Sequence, residues 1–451
     1  MPIEFHERSG DACWANRRRM QSDIRCTLLA AGLGRRLEPL TVRYIPKPMF
    51  PLGGKVPMIE TWVRKMVASG ITDISMNLCV LKEAIQRHFG DGSGFGAKIS
   101  YVEEQEPTGT LGGVCKQVFG RAAKRLPGDG PLTAEPFAGS TVIAPSGDIV
   151  TNFGPELLEE MYDIHKQVGA ALTMILVPVP WQRRKDFGTA VLDRVESRSG
   201  PLCQSGRIVE FREKDPDSPS NLNNASIYMI ETQFLKELDP LRTEARVGVA
   251  NPFYDFGKHV FPAMLGKLPY VTLPRDAALW GVQYDGEWFD VGQKRDYLHV
   301  NEQLLDGKLA LDLPYEKLPW GYLGTDVAID FSQVTIRGPV VLGNRCTVEP
   351  GAVLGPYAVI GDGWTLGRGA RVSHSVLWER YPRIGDDGQA ASARQAGAPV
   401  PHEVRPGVTV EGSILVSGVI ETDVRQGTVE RLDDGSLCRL SIDYFPDAPR
   451  A

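Results

Sequence analysis

The sequence predicts an α/β protein: a mostly parallel sheet with helices on both faces, followed by a parallel β-helix. Three observations carry this. A buried-type strand runs into a glycine turn near the N-terminus, apolar runs then alternate with helical patterns, and the C-terminal part repeats every six residues. The strand and turn are residues 24–37, Ile-Arg-Cys-Thr-Leu-Leu-Ala-Ala-Gly-Leu-Gly-Arg-Arg-Leu. A helical pattern follows at Met58–Ser69, an apolar strand at Ile74–Val80, a helix at Leu81–Phe89 and a strand at Lys98–Glu103. Another helix starts near Leu111, and apolar runs recur at Ser140–Ala144 and Ala170–Val179. Strands alternating with helices at this spacing indicate βαβ units. Ligands of such sheets sit beyond the C-terminal strand ends, where the glycine turn falls.

After about residue 305 the texture changes, and Leu305–Thr325 reads as a linker or short transitional helix. Beyond it, aliphatic residues fall at strict six-residue spacing: Ile336, Leu342, Val348, Leu354, Ile360, Leu366 and Val372. Glycine follows directly at 343, 355, 361 and 367, and mostly small residues precede by two, from Val334 to Ala370. That period marks a β-helix with three short strands per turn, each aliphatic side chain stacking on the next coil. Residues 391–407, rich in Ala, Gly, Pro and Arg, read as an inserted loop. The predicted division is therefore 1–23 extension, 24–305 sheet domain, 306–327 linker and 328–451 β-helix with insert and tail.

Bulk properties narrow the function. With 451 residues the chain can bury a large core, and 42% hydrophobic with 24% charged residues suits an ordinary globular protein. A net charge of −6 argues against a broadly basic surface for nucleic acid or anionic membrane. Seven cysteines without a CxxC pair fit neither a zinc site nor a disulfide framework, so a reducing cytoplasm is expected. No run approaches membrane-spanning length. Arg17, Arg18 and Arg19 precede no apolar segment, so no signal peptide is expected, and residues 1–19 read as a loose extension or an upstream start.

The chemistry concentrates in a few places. In Leu29–Leu37, Gly32 and Gly34 lack Cβ and let backbone N–H groups approach an anion, while Arg36 offers a bidentate fork. The turn lacks the third glycine of a dinucleotide fingerprint and the GK[ST] of a P-loop. Taken alone, such a turn is more often structural. Pro46-Lys47-Pro48 holds a lysine between two φ-restricted residues, which would aim its ammonium. Asp148 ends the run Val142–Asp148, and Asp290 lies in Trp288-Phe289-Asp290-Val291-Gly292. Two carboxylates with phosphate oxygens suit Mg²⁺, although either could equally be a cap or turn residue.

The string LAAGLGRRLEPLT…PKPMFPLGGK closely resembles the signature of the NDP-sugar pyrophosphorylases, the sugar-1-phosphate nucleotidyltransferases. Further matches are Gly109-Thr110 in EPTGTLGG, Gly147-Asp148, Phe187-Gly188, Glu213-Lys214, Asn224-Ala225-Ser226-Ile227-Tyr228 and WFDVGQKRDYL around Asp290. The likeness covers about residues 24–305, and the hexapeptide repeat matches the left-handed β-helix that many members carry. Two residues depart from the pattern: Arg35 replaces the usual Thr, and Ser226 the usual Gly.

The resemblance implies a Rossmann-like nucleotidyltransferase sheet followed by a left-handed β-helix. By that likeness Ala31, Gly32, Gly34, Arg35 and Arg36 hold the triphosphate, Lys47 neutralises the α-phosphate, and Gly109 and Thr110 line the nucleotide. Asp148 and Asp290 bind Mg²⁺, Lys214 meets the sugar phosphate, and Gly188, Glu213 and Asn224 face the sugar. The partners implied are a nucleoside triphosphate and a sugar 1-phosphate, in a cytoplasmic homo-oligomer without nucleic acid or membrane. Glu104, five residues before Gly109, stands where uridylyl and thymidylyl members commonly have Gln. An ionised Glu only accepts, which suits the N1–H and N2–H₂ donors of guanine and favours GTP with mannose 1-phosphate. Uridylyl, thymidylyl or adenylyl transfer is the alternative, and Glu104 could instead point to solvent with its acidic neighbours. A β-helix acyltransferase would need a catalytic histidine, for which only His374 and His402 stand in the C-terminal region, on a repeat of little more than two coils. A non-catalytic regulatory subunit would be favoured by loss of Lys47 or either aspartate, and all are present.

Overall fold

The computed structural model of the chain describes residues 23–38, 40–120, 136–238, 255–267, 273, 277–379, 402–416, 418–431 and 437–441. Residues 1–22 of the expected extension and most of the 391–407 insert lie outside the described residues.

The chain folds as two compact units, and neither is a single stretch. One gathers the described parts of Met1–Gly32, Trp62–Ile149 and Phe153–Trp288, and the other those of Leu33–Thr61, Val150–Asn152 and Phe289–Ala451. The linear division at 305 and 327 is therefore not how the compact units fall: 33–61 and 289–305 pack with the β-helix residues.

The first unit is built on nine strands. These are β1 (Ile24–Leu29), β2 (Asp73–Leu78), β3 (Lys98–Glu103), β4 (Thr141–Pro145), β5 (Leu172–Pro178), β6 (Gly188–Ser197), β7 (Leu202–Glu213), β8 (Leu222–Glu231) and β9 (Leu279–Tyr284). They lie in the order β3-β2-β1-β4-β8-β5-β9-β7-β6. From β3 to β4 the pairing is parallel, as the sequence predicts. Beyond β4 the sheet is mixed, because β8 runs antiparallel between β4 and β5. Strand β1 is buried from Ile24 to Leu28, its polar positions included: Thr27 is fully buried and Arg25 pairs with Asp73 at 2.9 Å. Helices α1 (Lys82–Phe89), α2 (Gly109–Phe119) and α3 (Pro155–Val168) fill the connections. Proline opens α3 and Gly169 closes it at φ +61°, the usual asymmetry of helix ends. The C-terminal ends of β1, β2 and β3 align, with Leu29 opposite Asn77 and Leu78 opposite Glu103. Leu29 also bridges Ser146 just beyond β4.

In the second unit, the six-residue period becomes three parallel ladders of a left-handed β-helix. Val340 pairs with Ala358, Thr347 with Thr365 and Val353 with Arg371, eighteen residues apart in each case, or one coil of three strands. Leu342, Leu354, Ile360 and Leu366 are fully buried, as are the small residues Ala352, Ala358 and Ala370 two positions earlier in the period. The helix is longer than the strict repeat. Gly321–Leu323 already belongs to the first ladder, edged by antiparallel Glu316–Leu318, so the expected linker carries strands. Inside the expected 391–407 insert, His402–Val404 is already a strand paired with Trp364–Leu366, and Val372 pairs with Val410, so the coils resume before residue 407. The same unit holds helix α4 (Lys294–Leu305) and the short hairpin Pro51–Leu52/Val56–Pro57. Tyr297 on α4 donates its hydroxyl to Pro51 O at 2.6 Å and receives the Trp378 indole N–H at 2.9 Å. Lys55 at the hairpin tip bonds buried Asp362 at 3.0 Å.

No helix of the described residues is long and apolar enough to cross a membrane.

Candidate functional site

In the first unit the strand edge is wired by hydrogen bonds. Ala30 N donates to Asn77 Oδ1 at 2.8 Å, which fixes the first residue of the glycine turn to the end of β2. Asn77 Nδ2 donates to Glu104 Oε1 at 3.3 Å. Glu104 Oε2 accepts the Thr108 backbone N–H at 3.0 Å and its hydroxyl at 3.3 Å. Glu104 is thus turned inward at 5% exposure, whereas Gln105 and Glu106 are exposed and Glu103 pairs with Lys82. Helix α2 begins at Gly109, at φ +81°. A Cβ on Gly113, one turn in, would lie 2.5 Å from Asn77 Nδ2, so glycine allows the helix to approach the asparagine. The Thr110 hydroxyl accepts the Phe256 N–H at 2.9 Å, tying the helix start to the segment from Asp255.

Beyond β4, Gly147 N donates to Leu29 O at 2.9 Å and Ser146 N to Ser226 O at 3.0 Å. The Ser146 hydroxyl donates to Asp148 Oδ1 at 2.6 Å. Asp148 is half-buried on a turn pinned to both neighbouring strands.

The residues expected at the sugar gather around β6, β7 and β8. A Cβ on Gly188 would lie 2.6 Å from Glu213 Oε2, and one on Gly257 would lie 2.9 Å from the same atom and 3.2 Å from Asp255 Oδ1. Two glycines therefore make room for two neighbouring carboxylates. Burial, and then the charge of Asp255, push the Glu213 carboxyl above its ordinary value, against Lys214 and Lys258. Lys214 is exposed at φ +54°, and its backbone N–H donates to Phe187 O at 2.9 Å. Asn224 donates Nδ2 to the Tyr228 hydroxyl at 2.8 Å and accepts Ser226 N on Oδ1 at 3.0 Å. The Trp288 indole donates to Ala225 O at 3.0 Å.

The second unit holds the remaining charges. Gly34 is left-handed at φ +60°, where a Cβ would meet Thr41 at 2.8 Å and Lys47 Cβ at 3.2 Å. The Thr41 hydroxyl donates to Gly34 O at 3.1 Å, closing the turn. Lys47 opens a short 3-10 turn after extended Pro46 and is 8% exposed, with Nζ 3.8 Å from Asp290 Oδ1. A buried ammonium requires such a counter-charge. Arg35 and Arg36 are exposed. A Cβ on Gly292 would lie 2.9 Å from Arg36 Nη2 and 3.2 Å from Cζ, so the guanidinium lies against the glycine two residues after Asp290.

Of the expected residues, the first unit brings Glu104, Gly109 and Thr110 to one network and Gly188, Glu213 and Asn224 to one region. The second brings Gly34, Arg36, Lys47 and Asp290 together. Ala31 is buried and Gly32 faces open space in the first unit. Sequence reasoning missed Asn77, Asp255 and Gly257, and it quoted Tyr228 and Gly292 within motifs without giving them a role. An Asn near the C-terminal end of a largely buried strand, and a Gly two residues after a candidate aspartate, were the available signals. Among the described residues no group of three or more His, Cys, Asp and Glu could form a protein-only metal cage.

A family model described as nucleotidyl transferase matches residues 26–307. The chain belongs to the nucleotidyl transferase family. Among the relatives of this nucleotidyl transferase is a UTP–glucose-1-phosphate uridylyltransferase of Synechocystis, 29% identical over 80% of this chain and 84% of the relative. A mannose-1-phosphate guanylyltransferase of Mycobacterium tuberculosis is 26% identical over 79% and 80%. A glucose-1-phosphate adenylyltransferase of Halalkalibacterium halodurans is 28% identical over 74% and 83%. The two histidines an acyltransferase would have needed have structural contacts: His374 Nδ1 lies 2.9 Å from Glu302 Oε1, and buried His402 packs edge-on against Trp364.

Proposed function

We propose that this chain couples a nucleoside triphosphate to a sugar 1-phosphate, releasing pyrophosphate and forming an NDP-sugar. The observation that carries this reading is the Arg36–Lys47–Asp290 cluster, two cations and one carboxylate held beside the glycine turn of a nucleotidyl transferase. The Ala31–Gly34 backbone and Arg36 would hold the triphosphate, with Arg35 beside them. Lys47 would neutralise the charge that grows at the α-phosphate. Lys214 would orient the sugar phosphate, and Gly188, Glu213 and Asn224 the sugar. The sugar phosphate oxygen attacks the α-phosphorus in line and the bond to pyrophosphate breaks, so positioning and charge neutralisation suffice.

Asp148 and Asp290 are hard oxygen donors, and Mg²⁺ takes one or two carboxylates with substrate phosphates rather than a protein cage. The donor set fits. When bound, the ion would supply further neutralisation of phosphate charge.

Within this class we favour GTP and mannose 1-phosphate. Support comes from the inward, buried Glu104 and from the guanylyltransferase relative. A carboxylate has about four acceptor positions, and Thr108 and Asn77 use three. Glu104 would therefore accept one of the two guanine donors rather than both. Uridylyl transfer is the second reading, favoured by the Synechocystis relative. Pyrophosphate release with Mg²⁺, across the common triphosphates and a panel of sugar 1-phosphates, tests both. GTP with mannose 1-phosphate should turn over fastest. Turnover with none sinks the transferase reading in favour of a regulatory subunit. Glu104→Gln should relax base choice toward pyrimidines, and an unchanged preference would remove Glu104 as the base reader. A cytoplasmic homo-oligomer is part of the proposal, and its assembly is read by light scattering.

A further inference from the structure

Ser226 sits at φ +57°, in the left-handed region that favours glycine. Its backbone is fixed from several sides. Its N–H donates to Asn224 Oδ1 at 3.0 Å, its carbonyl accepts Ser146 N at 3.0 Å, and the preceding Ala225 carbonyl accepts the Trp288 indole at 3.0 Å. The β8–β5 register breaks between Asn224 and Tyr228, so this is a built irregularity in the sheet. Ser226 is half-buried between Ala225 and Ile227, both fully buried. One of its neighbours, Asn224, is assigned above to the sugar. Ser146 carries the hydroxyl that bonds Asp148, and Asn224 bonds the Tyr228 phenol. Burial pushes that phenol far above its ordinary value, with hydrogen bonds from Asn224 and Ser226 opposing, so the hydroxyl network around it stays neutral.

Glycine would adopt the same backbone without strain, so what serine adds is one hydroxyl on a β-carbon. A strained residue held by its surroundings is a reason to look for function. We propose that the Ser226 hydroxyl determines sugar specificity, hydrogen-bonding a hydroxyl of the sugar 1-phosphate beside Asn224. The proposal rests on the sugar-1-phosphate reading given above.

The test compares wild type, Ser226→Ala and Ser226→Gly with glucose 1-phosphate and mannose 1-phosphate, epimers differing in one hydroxyl. Ser226→Ala keeps the β-carbon but removes the bond from Ser226 to the buried Tyr228 phenol, so a drop of a few degrees in melting temperature is expected beside the kinetic change, which is read at a temperature where both proteins are folded. It should lose about fivefold in kcat/KM on the preferred sugar, the worth of one neutral hydrogen bond. The loss should appear as a raised KM for that sugar, with the KM for the triphosphate unchanged and the disfavoured sugar unaffected. Ser226→Gly should melt at or above Ser226→Ala and lose the same discrimination. No loss, or an equal loss on both sugars, overturns the proposal while the transferase reading stands. A wild-type protein that turns over neither sugar overturns that reading and this proposal together.

Discussion

The candidate site residues of the two units are held in different ways. At the strand edge of the first unit, Asn77, Glu104, Thr108 and Asn224 are fixed by hydrogen bonds to the protein. Around the candidate site of the second unit, close approach to glycine and charge pairing add to bonds such as that from Thr41 to Gly34 O. Gly34 and Gly292 let Lys47 and Arg36 lie close against the backbone, and Asp290 faces the lysine at 3.8 Å, well beyond the ~2.8 Å of a tight charge-assisted bond. The first arrangement suits reading a fixed shape with oriented donors and acceptors. The second suits a highly charged group that brings its own oxygens.

If that contrast is right, changes in the second unit should strike turnover and changes in the first should strike stability and selectivity. Lys47→Met should have the largest effect, a loss of about 10³ in kcat, the scale on which a preorganised charge acts. The KM for triphosphate should change far less, and pyrophosphate release read against each substrate separates the two. A loss confined to KM would make Lys47 a binding residue only.

Asn77→Ala comes next. It strips the Ala30 N–H and Glu104 of a partner at a buried position, a cost of about 1–3 kcal/mol. Denaturant unfolding should show it, together with a raised triphosphate KM. Unchanged stability would mean that water replaces the amide and that the wiring of this edge is not structural.

Gly292→Ala places a methyl group where the Arg36 guanidinium lies. The arginine is exposed and must swing away, so a rise of about tenfold in triphosphate KM is expected, equivalent to ~1.4 kcal/mol. Melting should stay near wild type. If Gly292→Ala binds triphosphate normally while Arg36→Ala does not, the close approach is incidental.

The two units also differed in how legible they were. The six-residue period announced the β-helix because each coil repeats the same demand: a small residue and an aliphatic one buried in register, as at Ala352 and Leu354. Asp148 could be placed on a turn after β4 because an apolar run ended at Gly147. Asn77 could not be singled out, since its importance lies in bonds to Ala30 and Glu104, far away in the chain. Asp255 is another case, meeting Glu213 only because Gly257 lets it. The register break that places Ser226 arises from cross-strand pairing, which local patterning does not record. Nor does local patterning show that 33–61 packs with the β-helix residues, as Lys55 and Asp362 illustrate.

The smallest effect concerns pH and again belongs to the hydrogen-bonded unit. His165 is buried, with Nδ1 2.7 Å from Thr173 Oγ1 and Nε2 3.0 Å from Glu231 Oε1. Burial holds its imidazole below the ordinary value, against the bond to Glu231. For Glu231, burial pushes the carboxyl up, but the bonds from His165 and Lys166 outweigh it and leave the group below its ordinary value. Both depressions have the same sign. The unfolded chain takes up a proton first as pH falls, so stability is full above about pH 6.5. It declines as the unfolded histidine titrates, and again below about pH 4.5 through the carboxylate. Each kcal/mol lost should lower the melting temperature by about 2–4 °C. His165→Gln keeps a hydrogen-bonding side chain but cannot titrate. It should flatten the melting curve between pH 6.5 and 5 and leave the lower-pH decline in place. A slope unchanged in that variant would assign the upper decline to other groups and leave His165 as packing alone.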